Sequence, residues 1–104
     1  SYADLARDAS VQVVYIGTVH TSHLAIARMM LEAGKSVLCE KPMCLTLAET
    51  VELVELARRK RVFLMEAMWT RFVPAARAAL AALGEIGPVN EVYGSFGMFV
   101  DQRE

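Results

Sequence analysis

Three short apolar runs alternate along this chain with stretches of helical spacing, and no hairpin signal lies between them. The runs cover residues 11–16, 36–39 and 62–65. Continuous apolar strands separated by amphipathic helices are typical of parallel strands that are buried on both faces and joined by right-handed crossovers. The pattern therefore predicts a doubly wound α/β domain with a parallel sheet.

Three helices are predicted in the same region, over residues 2–8, 22–33 and 46–61. Thr21 or Ser22 can cap the second helix, and Gly34 supplies its left-handed stop. The third helix begins with a capping box formed by Thr46 and Glu49. The apolar face predicted for this helix consists of Leu47, Val51, Val54 and Ala57.

The pattern changes after residue 66, and this change predicts a second domain. An alanine-rich helix runs from Pro74 to about Leu83, a turn follows at Gly87, and residues 89–100 have the pattern of one long strand. A strand of roughly a dozen residues exceeds the usual five or six and indicates a large open sheet in an α+β domain. We therefore assign residues 1–68 to one domain and residues 69–104 to the start of another.

Charge and hydropathy exclude several classes of partner. The 104 residues carry a formal net charge of -1, which gives no field to attract nucleic acid. The basic cluster at residues 58–61 follows glutamates on one predicted helix, with Glu55 and Arg59 spaced i,i+4, and we interpret it as a solvated face. No apolar stretch approaches the ~20 residues that span a bilayer, and no signal peptide is recognisable. These features predict no membrane contact and a cytoplasmic location.

Two cysteines, Cys39 and Cys44, lie close together in the sequence without a second cysteine pair. This spacing fits neither a zinc site nor a disulfide framework, so we expect reduced thiols and no metal. The chain begins at Ser1, ends in polar residues and contains no Gly-x-Gly-x-x-Gly loop. We expect it to be a segment of a longer protein.

Polar and aromatic residues concentrate where the three predicted strands end. The segments that follow the strands are residues 17–23, 40–42 and 66–71. In an open parallel sheet the ligand lies beyond the carboxyl ends of the strands. The sequence therefore predicts a binding site formed by these segments.

Lys41 is the strongest candidate within that site. An exposed lysine is the commonest fate of this residue type, but Lys41 lies between a buried strand and Pro42, which removes backbone freedom. A cis Lys41–Pro42 bond is the sharper of the possible turn conformations. Glu40 and Glu66 could suggest glycosidase chemistry, yet nothing in the sequence sets their separation, and we reject that interpretation.

Three other candidates have an alternative structural interpretation. His23 suits a helix start that donates to backbone, and His20, nearer the strand end, either does the same or lines the pocket. Trp69 is either core packing or an aromatic wall for a substrate, next to Arg71. The residues alone do not decide between these alternatives.

The motifs at the strand ends resemble the glucose–fructose oxidoreductase, inositol dehydrogenase and rhizopine catabolism family of dinucleotide-dependent oxidoreductases. The resemblance rests on residues 14–18, on His20-x-x-His23, and on Glu-Ala-Gly-Lys-Ser-Val-Leu-Cys-Glu-Lys-Pro at residues 32–42. Within the family, residues 63–74 are most similar to the dimeric dihydrodiol dehydrogenases, also described as NADP-dependent D-xylose dehydrogenases. The resemblance implies the C-terminal half of a Rossmann sheet, followed by the first helix and strand of a substrate and dimerisation domain.

The resemblance also implies site residues, a cofactor and partners. Lys41 is implied to be catalytic, contacting the nicotinamide ribose and the reacting hydroxyl, and Trp69 and Arg71 are implied to bind substrate. The cofactor is NADP or NAD, the substrate is a sugar, polyol or diol, and the protein is expected to form a homo-oligomer, with a dimer favoured. The implied cofactor-binding residues are Gly17, Thr18, His20, His23, Glu40, Lys41 and Pro42.

A catalytic role for Lys41 is chemically reasonable. Hydride removal from a carbinol turns its oxygen into a developing carbonyl that must lose a proton, so a positioned cation or base lowers the barrier. The alternative from another functional class is a non-catalytic NAD(P)-sensing regulatory protein of the same fold. Because such relatives tend to lose the lysine, Lys41 favours an enzyme.

Overall fold

The three predicted strands form one parallel sheet in the order β1–β2–β3. The computed structural model describes residues 1–97. In it the strands are β1 (Val13–Ile16), β2 (Ser36–Cys39) and β3 (Leu64–Glu66). The last residues of the strands, Ile16, Cys39 and Glu66, are register partners. The predicted α/β class is confirmed, and the carboxyl ends of the strands share one edge.

Helices pack on one face of this sheet. They are α1 (Tyr2–Arg7), α2 (His23–Glu32) and α3 (Leu47–Lys60), with a short 3-10 turn (His20–Ser22) before α2. The core between sheet and helices includes Val14, Ile16, Val37, Cys39, Met30, Leu31 and Leu53. The buried strand residues alternate along β1 and β2, as expected when one face is covered.

The predicted helix ends are confirmed at two of three positions. Gly34 ends α2 with a φ of +77°, and Thr46 and Glu49 form the capping box of α3. Thr21 does not cap α2, and Ser22 lies at the N-cap position without capping the helix. The Ser22 hydroxyl instead donates to the Val19 carbonyl and is paired with the Thr18 hydroxyl, each at 2.7 Å, so it stabilises the preceding loop.

Within the described residues the strands are buried on one face only, whereas the sequence pattern predicts burial on both faces. Val13 and Tyr15 are 62% and 60% exposed, whereas Val14 and Ile16, which alternate with them, are buried. Two right-handed crossovers that step in the same direction along a sheet place both helices on the same face. We call the helix-covered side the covered face and the side with Val13 and Tyr15 the open face.

The apolar face predicted for α3 is also corrected. Leu47 and Val51 are exposed and Val54 is half-buried, and of the four predicted residues only Ala57 is buried. The buried face consists of Leu53, Leu56 and Ala57. Two apolar stripes lie side by side on this helix, and packing against α2 and the sheet selects one of them, which periodicity cannot do.

The chain divides into two compact units, Ser1–Trp69 and a second that begins at Thr70. A 3-10 turn spans Trp69–Phe72, the second unit contains α4 (Pro74–Ala82), and the 3-10 turn Leu83–Glu85 follows. Residues 89–97 form no strand, contrary to prediction, and the rest of that predicted strand, residues 98–100, lies outside the described residues. A strand requires a hydrogen-bonded neighbour, and residues 89–97 have none among the described residues.

Candidate functional site

The loops after β1 and β2 begin at the same edge of the sheet. The Glu40 amide donates to the Ile16 carbonyl at 2.9 Å, and the Ala67 amide donates to the Cys39 carbonyl at 2.7 Å. The hydrogen-bonded ladder therefore continues one residue past β2 and β3. This brings together two of the predicted segments, residues 17–23 and 40–42. In the structure they form the loop 17–22 before α2 and residues 40–43, which we call the Lys41 turn.

Lys41 lies at the tip of the Lys41 turn. The Lys41–Pro42 bond is cis, as predicted, and both residues are exposed. The Lys41 ammonium makes no hydrogen bond or ion pair with any residue between 1 and 97. The structure therefore presents a cation, without a neutralising partner in this part of the chain, at the edge where parallel sheets bind ligands.

The Lys41 turn is held from the open face by Tyr15. The Tyr15 hydroxyl donates to Glu40 Oε1 at 2.8 Å, and the Lys41 amide donates to Glu40 Oε2 at 3.2 Å. The bond from Tyr15 lowers the pKa of Glu40, and the same bond raises the pKa of Tyr15. Glu40 is therefore a carboxylate at neutral pH, with both of its oxygens engaged.

The turn is held from the covered face by two further side chains. Glu66 Oε1 accepts from the Met43 amide at 2.8 Å. The His23 ring lies with Nδ1 2.9 Å from the Pro42 carbonyl oxygen and Nε2 3.0 Å from the Thr18 carbonyl oxygen. His23 consequently joins the loop 17–22 to the Lys41 turn.

The predicted direct contact of His23 with the cofactor is corrected by this geometry. His23 is fully buried, and both ring nitrogens face backbone carbonyls. A buried ring with both nitrogens engaged cannot also bind a ligand. The structure assigns His23 to holding the two loops together.

The other predicted site residues stay candidates. Gly17 and His20 are exposed, Thr18 is half-buried, and the His20 ring centroid lies 5.6 Å from that of His23. Trp69 is 62% exposed and ends the first compact unit. Arg71 is exposed and belongs to the second unit.

Sequence reasoning missed Tyr15, and it included Glu66 only as part of a strand-end segment without a role of its own. Tyr15 is the one residue of β1 with a polar side-chain group, and Glu66 is an acid at a strand end. Those are weak signals, because the register that places Tyr15 beside Glu40 and Glu66 beside Met43 is a property of the assembled sheet.

Two other kinds of site are absent from the described part of the chain. Residues 1–97 contain no group of three or more histidine, cysteine or acidic side chains placed to hold a metal. Cys39 and Cys44 are free, buried thiols. Among the described helices, none has the length and apolar character of a membrane span.

Residues 1–68 match the sequence model of a family described as oxidoreductases with an NAD-binding Rossmann fold. The human trans-1,2-dihydrobenzene-1,2-diol dehydrogenase is 55% identical over 78 residues, covering 75% of this chain and 23% of the relative. The enzyme of the same name from Danio rerio is 50% identical over 76 residues, covering 73% of this chain and 23% of the relative. The chain thus spans about a quarter of these curated relatives.

Solved structures also resemble this fold, and the chain again spans about a quarter of each. Biliverdin reductase from Synechocystis, in complex with biliverdin and NADP+, is 35% identical with a TM-score of 0.73, covering 85% of this chain and 28% of that one. An NAD-binding oxidoreductase from Klebsiella pneumoniae is 32% identical with a TM-score of 0.76, covering 82% of this chain and 23% of that one. The similarity extends from the sequence motifs to the backbone.

Proposed function

The chain belongs to the oxidoreductase family with an NAD-binding Rossmann fold, and from that premise we propose that the protein is a nicotinamide-dependent dehydrogenase. It transfers hydride between NADP or NAD and a carbinol of a sugar, a polyol or a trans-dihydrodiol. The observation that carries the proposal is the exposed Lys41, which has no partner for its ammonium within residues 1–97. This cation lies at the ligand-binding edge of a parallel sheet.

The residues at this edge fit the nicotinamide end of such a cofactor. Gly17 carries no side chain and is exposed, and Thr18 and His20 follow it. His23 joins this loop to the Lys41 turn. A bound nicotinamide dinucleotide supplies the hydride acceptor. Lys41 stabilises the negative charge that develops on the substrate oxygen and moves its proton, while Glu40 and Pro42 shape the turn.

A trans-dihydrodiol is the substrate we favour, and D-xylose is a second candidate from the family resemblance alone. The support is the name shared by the curated relatives, trans-1,2-dihydrobenzene-1,2-diol dehydrogenase, at 50% to 55% identity. Exposed Trp69 offers an aromatic surface suited to a ring, and Arg71 offers donors for hydroxyl groups. We also propose a homodimer in the cytoplasm, on the basis of the family resemblance.

Replacing Lys41 with methionine in the full-length protein tests the proposal. We expect K41M to lower turnover of trans-1,2-dihydrobenzene-1,2-diol or D-xylose with NADP+ by about 10²- to 10⁴-fold, as for loss of a general acid or base. The dissociation constant of NADPH, measured by fluorescence, should change little, because methionine keeps the length of the side chain.

A matched control is Lys60→Met, since Lys60 is also exposed but ends α3 before β3 begins, away from the carboxyl ends of the strands. K60M should retain wild-type turnover. Near-normal turnover of K41M would contradict the proposed role. A wild-type protein that binds NADPH but turns over neither substrate would favour the regulatory alternative.

A further inference from the structure

The position of Lys41 is set by the residues that precede and follow it in the turn. Glu40 precedes it and is bonded to Tyr15, while Met43 follows Pro42 and is bonded to Glu66. Tyr15 belongs to β1 and Glu66 to β3, the strands that flank β2. The turn is therefore tied to both neighbouring strands, one on the open face and one on the covered face.

We propose that Tyr15 and Glu66 are positioning residues, which fix Glu40 and Met43 and thereby set where the Lys41 ammonium lies. The inference rests on the proposed function of Lys41. Both residues act through the turn and neither needs to touch substrate or cofactor.

The Tyr15 bond is poorly explained by stability alone. Tyr15 is 60% exposed, and a hydrogen bond between exposed side chains adds little to folding because water competes for both groups. The ring has a separate packing role, since a Cβ on Gly17 would lie 3.1 Å from Tyr15 Cε1. Tyr15→Phe keeps the ring and removes only the hydroxyl that orients Glu40.

The Glu66 bond fixes the backbone directly. Glu66 is half-buried, and it satisfies the Met43 amide at 2.8 Å. Glu66→Gln retains an oxygen acceptor at this position, whereas Glu66→Ala removes it. Catalytic groups must be held closely, because a displacement of about 1 Å can cost about 10²-fold in rate.

The kinetic test uses the full-length enzyme with NADP+ and trans-1,2-dihydrobenzene-1,2-diol. We expect Tyr15→Phe and Glu66→Ala each to lower kcat by about 10-fold or more, with little change in KM for NADP+. Glu66→Gln should recover most of the turnover lost in Glu66→Ala. Val13→Ala, on the same open face as Tyr15, is the control and should retain wild-type kcat.

A double-mutant cycle separates positioning from an independent role. If Tyr15 acts through Lys41, Tyr15→Phe causes no further loss of kcat in a K41M background. Full additivity would overturn the inference. Near-normal turnover of K41M alone would instead overturn the proposed function, so the two failures are distinguishable.

A readout without activity completes the test. Amide hydrogen exchange of the peptide containing residues 40–44 should be faster in Tyr15→Phe and in Glu66→Ala than in the wild type, while exchange in β1 and β2 is unchanged. Wild-type exchange of that peptide in both variants would overturn the inference whatever the kinetics show.

Discussion

The two faces of the sheet contribute to this molecule in different ways, although their residues alternate along the same strands. On the covered face, Ile16 and Cys39 are buried against α2 and α3. On the open face, Val13 and Tyr15 are exposed, and the Tyr15 hydroxyl reaches Glu40. Adjacent residues of β1 therefore have different roles, because Ile16 packs in the core and Tyr15 holds the Lys41 turn.

The site draws on both faces of the sheet, but unequally. The covered face contributes Glu66 and His23, whose bonds to the turn are partly buried. The open face contributes Tyr15, whose bond is exposed. Substitutions on the covered face should therefore alter stability and activity together, whereas substitutions on the open face should alter activity with little loss of stability.

The largest expected effect on stability comes from the covered face. Ile16→Ala in the full-length protein should lower the free energy of unfolding by about 2 to 5 kcal/mol, because it removes a fully buried side chain and leaves a cavity. Val13→Ala, three residues earlier in β1, should change it by less than about 0.5 kcal/mol.

Urea unfolding of both variants measures this difference. Equal losses of unfolding free energy at residues 13 and 16 would contradict the proposed contrast between the faces, since they would mean that the rest of the full-length protein covers the open face. A large loss at Ile16 alone would support the contrast.

Much of the covered face could be predicted from the sequence. Apolar runs, the Thr46–Glu49 capping box and the left-handed Gly34 are local signals, and each appears in the structure as expected. The buried stripe of α3 could not be predicted, because it is selected by packing against α2.

The candidate site was only partly predictable, for a related reason. Lys41 and Pro42 stand out because the strand end and the proline are adjacent in sequence. The side chains that hold the turn, Tyr15, His23 and Glu66, bond to residues 19 to 25 positions away in the sequence. Those bonds exist only once the strands are in register. The wrong prediction at residues 89–97 has the same origin, since strand propensity does not supply a partner strand.

The next largest effect concerns the reactivity of Cys39 on the covered face. Burial raises the pKa of this thiol from 9.0 to about 11. Because the thiolate is the nucleophile and the Cys39 side chain is fully buried, alkylation at pH 8 should be at least about 100-fold slower in the native protein than in urea.

Iodoacetamide labelling followed by mass spectrometry measures the rate at Cys39. Tyr2→Phe, at the exposed start of α1, is a control that should leave it unchanged. Labelling of native Cys39 at the denatured rate would show that the covered face opens readily, and the proposed contrast between the faces would fail.

The smallest effect on stability is expected at a partly exposed ion pair between α2 and α3. Arg28 Nε donates to Glu52 Oε1 at 2.6 Å, joining α2 to α3, and both side chains are partly exposed. The bond from Arg28 lowers the pKa of Glu52. A carboxyl with a depressed native pKa stabilises the fold above its unfolded pKa, and this contribution is lost as pH falls through the native pKa. Glu52→Gln should therefore be slightly destabilising at pH 7 and indistinguishable from wild type in acid, as measured by urea unfolding.

Glu55→Gln is the matched control for that pair, because Glu55 Oε2 lies 3.9 Å from Arg59 Nη1 within α3 and connects no second element. A longer, exposed pair within one helix contributes less than one that joins two helices, since ordering its side chains costs as much and yields a weaker attraction. If Glu55→Gln proved as destabilising as Glu52→Gln, the Arg28–Glu52 pair would add nothing to packing of the helices. The covered face would then owe its stability to apolar burial alone, which would widen its difference from the polar contacts of the open face.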